Sequence, residues 1–154
     1  MSAKRFHWAT MGLVLAALAA SITVQAQDRK IEQAIKHRRA AFTLMGTYVN
    51  RLVQTTDGGR PFDAAKTLAD AKAVEYLSRL PWEGFVDGSD RGDTRALADI
   101  WLEEDRFKKM ALDLEARSSA LKVAAETRDL KKIKQAFGPM RDACNACHKA
   151  FRKD

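Results

Sequence analysis

Past residue 26 the apolar positions of this chain recur at the 4, 3, 4, 3 spacing of one helix face. No stretch alternates apolar and polar residues as a half-buried strand would. In the first segment Ile31, Ile35, Arg38, Phe42, Met45, Val49 and Leu52 form one seam. It stops before Thr55-Thr56-Asp57-Gly58-Gly59, which reads as a loop. A second helix is expected from about Asp63, carrying Ala65, Leu68, Ala69, Ala73, Leu77 and Leu80, until Pro81 ends it. Pro81 to Asp93 holds Gly84, Gly88 and Gly92 and reads as a long loop. Its Trp82 and Phe85 are too large and apolar to be left in water, so they should fold over the core.

A third helix is expected over roughly residues 96–126, with Trp101, Phe107, Met110, Leu114 and Leu121 inward. An early break is expected around Trp101-Leu102-Glu103-Glu104-Asp105. Asp129 is placed to cap a fourth, in which Ile133, Phe137, Met140, Cys144, Cys147 and Phe151 repeat the seam. Four such helices with mostly short joints predict an all-α fold, an antiparallel four-helix bundle. Pro139 lies inside the fourth helix and cannot donate to the Gln135 carbonyl, so a kink is expected there.

The first 26 residues follow another logic. Lys4 and Arg5 precede the apolar run Met11 to Ala20, and Val24-Gln25-Ala26 offers small residues at a cleavage site. Met11 to Val24 is too short for a bilayer span, which needs roughly 20 residues. The reading is a cleaved export signal at 1–26 and one domain at 27–154, without a membrane anchor, in the periplasm. Removing 26 of the 154 residues leaves 128, and losing Lys4 and Arg5 takes the formal charge from +7 to +5. Charge of this size, scattered along helices with no basic arm, suggests a solvated surface and no nucleic-acid role.

The chemistry concentrates in Cys144-Asn145-Ala146-Cys147-His148. Cys-x-x-Cys-His is the attachment sequence for c-type haem. Positions i, i+3 and i+4 share a helix face, so both thiols can add to the haem vinyl groups while His148 ligates the iron. The rivals are weaker. Zinc needs four ligands, and only His37 and His148 stand beside the cysteines past residue 26. A thioredoxin-type pair belongs in a βαβ unit that this pattern lacks. A plain disulfide leaves His148 unexplained. One covalent haem c per chain is therefore expected, its two propionates bringing the net charge to about +3.

Only six residues follow His148, and none is Met or His, so any sixth ligand must come from upstream. The first helix is the natural distal wall. Phe42 sits mid-seam and has no lone pair for iron. Arg38, one turn earlier, is a charge on an apolar stripe; it either snorkels at a bundle edge or pairs with a haem propionate, and the propionate explains the intrusion better. Met45 can ligate iron, but a core Met is more often packing. His37 is one step off the seam.

At these residues the chain resembles cytochrome c′ (cytochrome c prime), the class II c-type cytochromes, over about Ile31 to Arg152. The resemblance is carried by Arg38 with Ala41-Phe42-Thr43-Leu44-Met45, Pro61-Phe62-Asp63-Ala64-Ala65, Leu80-Pro81-Trp82 with Phe85, Ala136-Phe137-Gly138, and Cys144 through Arg152. Only the haem motif is specific alone; the order and spacing of the pieces are specific together. The resemblance implies a left-handed bundle and a homodimer through the first two helices. It also implies five-coordinate, high-spin iron that binds nitric oxide and carbon monoxide. By position it makes Phe42 the distal residue and Arg152 the basic residue beside the proximal face. Arg38, Arg39 and Asp93 fall where the family touches the haem edge. A low-spin relative, the cytochrome c-556 type, uses a first-helix methionine, which keeps Met45 as a sixth-ligand reading.

The function expected is a non-enzymatic haem protein that binds nitric oxide, buffering it or protecting against it. The alternative is an electron carrier, with a redox partner the sequence does not name. A peroxidase reading is weak, since no seam residue supplies a distal acid–base histidine.

Overall fold

The computed structural model describes the backbone of residues 3–153 and the side chains of residues 25–153. The export-signal reading rests on residues 4–26, whose side chains lie outside the described ones up to residue 24. The elements are α1 (Ala3–Thr56), α2 (Ala64–Leu77), α3 (Asp99–Leu102), α4 (Glu104–Glu126) and α5 (Leu130–Phe151). α3 and α4 together occupy the place of the expected third helix, so the four-helix-bundle expectation holds. No helix among the described residues is long and apolar enough to cross a membrane.

Each boundary has a local cause. Asp63 accepts from the amides of Ala65 and Lys66, and Asp129, the expected cap, from those of Lys131 and Lys132. α1 runs two residues further than its seam suggested. Thr55 Oγ1 donates to the Arg51 carbonyl at 2.9 Å and Thr56 Oγ1 to that of Val53 at 3.1 Å, which holds the last turn until Gly58 breaks it at φ 81°. The break between α3 and α4 falls at Glu103, inside the five-residue run singled out above. α5 continues through Pro139, which sits on the exposed face, where water can reach the undonated Gln135 carbonyl.

The core has two parts. An aliphatic one is centred on Leu52, Val74, Leu121, Ile133 and Met140, all fully buried. Burial of each such side chain is worth about 1.5–3 kcal/mol. A smaller one joins Ala96, Ile100, Phe107 and Phe151, with Trp82, Phe85, Trp101 and Cys147 packed against it. α5 packs along α4, α4 on α2 and α2 on α1, but α1 meets α5 only slightly.

What spans that fourth side is the segment between α2 and α3, here called the strap (residues 78–98). It opens with a 3-10 turn at Trp82–Gly84 and is steered by Gly88 and Gly92, at φ 78° and 84°. Its far end pairs with the chain just past α5. Leu97 N–H donates to the Phe151 carbonyl at 3.0 Å, and Lys153 N–H to that of Arg95 at 2.8 Å.

Candidate haem-binding site

Cys144, Cys147 and His148 stand on successive turns of α5, as the helical spacing required. Cys144 packs against the aliphatic core, its Sγ 3.9 Å from Met140 Sδ, while Cys147 packs against the aromatic one. Both thiols are free. Burial, with the neighbouring Cys147 adding to it, pushes the Cys144 thiol up to about 11, and burial raises Cys147 as well. Neither is ionised at neutral pH. Burial first, then Arg152 and Arg95, holds the His148 imidazole below its ordinary pKa, so it stays neutral with a ring lone pair available for a metal.

Arg152 Nη1 lies 3.4 Å from His148 Nδ1. Once Nε2 gives its lone pair to a metal, Nδ1 carries the proton and faces a second donor. This is not the carboxylate or carbonyl that usually backs a metal-bound imidazole. Arg152 thus stands beside His148.

Between α1 and the end of α5, the structure gathers Phe42, Trp82, Phe85, Phe107 and Phe151 into one aromatic network. Phe42 meets Trp82 and Phe85 edge-on at 5.9 and 6.4 Å, and Phe107 meets Phe85 at 4.8 Å and Phe151 at 5.4 Å. Trp82 touches both cores. Met45 is buried within the aliphatic core.

Arg38, Arg39 and Asp93 come together at the strap. Arg39 pairs with the Asp93 carboxylate and also donates to its carbonyl at 2.9 Å, both side chains being exposed. Arg38 is only 2% exposed, and its guanidinium is taken up by the strap. Burial pulls it down to about 10 against the opposing pull of Asp90, so it remains charged at neutral pH. His37 is exposed and engages the Leu80 carbonyl at 2.8 Å and Glu83 at 3.0 Å. Sequence reasoning found these residues but not their partners. The strap contacts of His37 carried no signal beyond its place off the apolar seam.

The arrangement fits a flat, largely apolar group between α1 and α5. These two helices make little direct contact, the two cysteines pack against the two cores, and aromatic rings lie beside them. Trp82 Nε1 is buried without a partner among the described residues, a donor suited to an acceptor entering the slot. Among the described residues no three His, Cys, Asp or Glu side chains cluster as a metal-ion site would.

Fold and motif together define a helical-bundle protein of the c-type haem class. The family profile described as Cytochrome C′ matches residues 33–152. The chain is 37% identical over 127 residues to cytochrome c′ of Alcaligenes xylosoxydans xylosoxydans, covering 82% of this chain and 98% of that one. Among solved structures, cytochrome c prime from Shewanella frigidimarina superposes with a TM-score of 0.79 at 40% identity, over 80% of this chain and 97% of that one. Two mutants of cytochrome c prime from Alcaligenes xylosoxidans superpose at 0.75 and 36% identity, over 80% of this chain and 96% and 97% of theirs. One was solved as a nitric oxide complex, the other with carbon monoxide bound. The chain belongs to the cytochrome c′ family, and its cofactor is that family's covalently bound haem c.

Proposed function

We propose that this protein is a periplasmic gas-binding cytochrome that takes up nitric oxide and carbon monoxide at five-coordinate, high-spin iron, and so buffers or protects against nitric oxide. Cys144 and Cys147 would hold the haem through thioethers, and His148 Nε2 would ligate its iron. The haem would supply an iron atom able to take up the diatomic. Phe42 would crowd the approach from α1, Arg38, Arg39 and Asp93 would lie near the haem edge, and Arg152 would stand beside His148.

The observation that carries this reading is Phe42. It is half-buried on the α1 seam, has no lone pair, and packs with Trp82 against the same core as Cys144. Met45 is absorbed by the aliphatic core, which favours packing over ligation. The nitric oxide and carbon monoxide complexes of the Alcaligenes mutants support the same chemistry. Arg152 and Arg95 beside His148 would oppose charge build-up on the imidazole when it holds iron.

The role is binding, not catalysis, since His37 is engaged by Leu80 and Glu83 and lies off the seam. A homodimer through α1 and α2 fits Leu44 and Tyr76, which are 48% and 64% exposed on those helices. Residues 1–26 act as the export signal, and residues 27–154 are the mature cytochrome domain.

Optical and resonance Raman spectra of the purified protein test this. Ferrous, five-coordinate iron that binds carbon monoxide is expected, with haem that resists acid–acetone extraction and an intact mass beginning at Gln27. A low-spin spectrum whose methionine–iron band disappears in Met45→Leu would instead identify the electron-carrier alternative.

A further inference from the structure

We propose that Arg38 is a positioning residue that clamps the strap across the α1–α5 side, and that the clamp holds Trp82 and Phe85 against Phe42. The role as ligand gate rests on the gas-binding reading; the clamp itself does not.

The contacts are specific. Arg38 Nη1 donates to the Gly84 carbonyl at 2.7 Å and to Ser89 Oγ at 2.6 Å. Nη2 donates to the Ser89 carbonyl at 2.5 Å and to Thr94 Oγ1 at 2.7 Å. The guanidinium also lies 4.4 Å from the centre of the Phe85 ring. One side chain therefore gathers three points of the strap, and Ser89 is itself fully buried. A planar fork with fixed donors can do this; an ammonium cannot reach all four acceptors in one geometry.

The strap is seated tightly on α1 at the same place. A Cβ on Gly84 would come within 2.7 Å of the Ala34 carbonyl oxygen and of Arg38 Cβ, so only glycine allows this approach. His37 and Arg39, the neighbours of Arg38, reach the strap too, at Leu80, Glu83 and Asp93. Beyond Thr94, whose hydroxyl also accepts from the Ala96 amide at 3.0 Å, the strap runs into its pairing with Phe151 and Lys153. Arg38 is thus the α1 end of a continuous tie that finishes five residues past His148, at Lys153. Because α1 and α5 hardly touch directly, this tie governs the distance between the helix carrying Phe42 and the helix carrying the haem motif.

For the bound haem, the strap aromatics restrain the Phe42 ring, so loosening the strap should let ligands in faster.

The test uses the haem-loaded full protein, wild type against Arg38→Lys, Arg38→Gln and Gly84→Ala. Native-state hydrogen exchange should accelerate tenfold or more at the amides of Ser89, Thr94, Ala96 and Leu97, with α2 and α4 unchanged. Carbon monoxide association should quicken by about tenfold, equivalent to about 1.4 kcal/mol of lost restraint. Gly84→Ala, acting from the strap side, should give the same exchange pattern with Arg38 intact. If an Arg38 variant fails to fold, Ser89→Ala removes only part of the clamp and is expected to show the pattern more weakly.

Unchanged strap exchange in folded variants would overturn the proposal, as would acceleration spread evenly over all helices. So would an Arg38→Gln protein with a steady strap but an altered pH dependence of its reduction potential, which would make Arg38 a propionate partner. A wild-type protein that takes up no carbon monoxide would sink the gas-binding reading alone, and the exchange pattern would still decide the clamp.

Discussion

Around Leu52, Leu121, Ile133 and Met140 the interior is mostly aliphatic, and its buried members all lie on α-helices. Around Phe107 and Phe151 it is aromatic, and Trp82 and Phe85 reach it from the strap, outside any α-helix. The first region closes completely, because branched and flexible side chains interdigitate on regular helix faces. The second is a set of plates meeting mostly edge-on, with a buried Trp82 donor left unpartnered. The haem motif stands where the two meet, with Cys144 against one region and Cys147 against the other.

If the regions are separable, the largest stability change should come from the first without touching the second. Leu121→Ala should cost about 2–5 kcal/mol in urea unfolding of the holoprotein, while carbon monoxide affinity stays within about twofold. A large affinity change there would show that the aliphatic core sets the slot directly.

Phe42→Ala probes the other side. Displacing a packed ring costs roughly 1–3 kcal/mol, so its removal should tighten carbon monoxide binding by about 5- to 150-fold. The stability loss should be smaller than that of Leu121→Ala, since Phe42 is only half-buried. Unchanged affinity with the fold intact would make Phe42 ordinary packing and move the distal wall elsewhere.

The smallest effect concerns pH. The Asp63 carboxylate accepts from the Lys66 amide and meets the Lys66 ammonium, which holds its pKa below the ordinary value of 3.8. Its capping contribution is therefore present above pH 3.8 and is lost as pH falls through the lower folded value. Acid unfolding followed by helical circular dichroism should show a shallower slope in that window for Asp63→Asn, which keeps a capping side chain without the titration. An unchanged slope would mean that this cap does not contribute to acid sensitivity.

Two buried charges show how legibility fails. Asp70, 5% exposed, lies on α2 and is met by Arg60 at 2.8 Å and Arg51 at 3.5 Å. Nothing in the seam of α2 marked it, because its partners come from α1 and the following turn. Arg38 did stand out, as a charge on an apolar stripe, and its inward direction was read. Its partners lie 46 to 56 residues downstream, in a loop whose path no periodicity describes. A seam tells which way a side chain points, not what it meets there.

The sequence alone determined what local physics controls. The helices, the Asp63 and Asp129 caps and the break near Glu103 follow from spacing, capping chemistry and turn residues within a few positions of each other. The Cys-x-x-Cys-His face belongs to the same class, since one turn of helix is enough to align it. Only the tertiary structure decided the rest: the division into aliphatic and aromatic cores, the Ala96–Arg152 pairing, and Arg38's four strap contacts. These depend on where distant segments come to lie together, and hydrogen-bond geometry discriminates among acceptors only once the chain has brought them within about 3 Å.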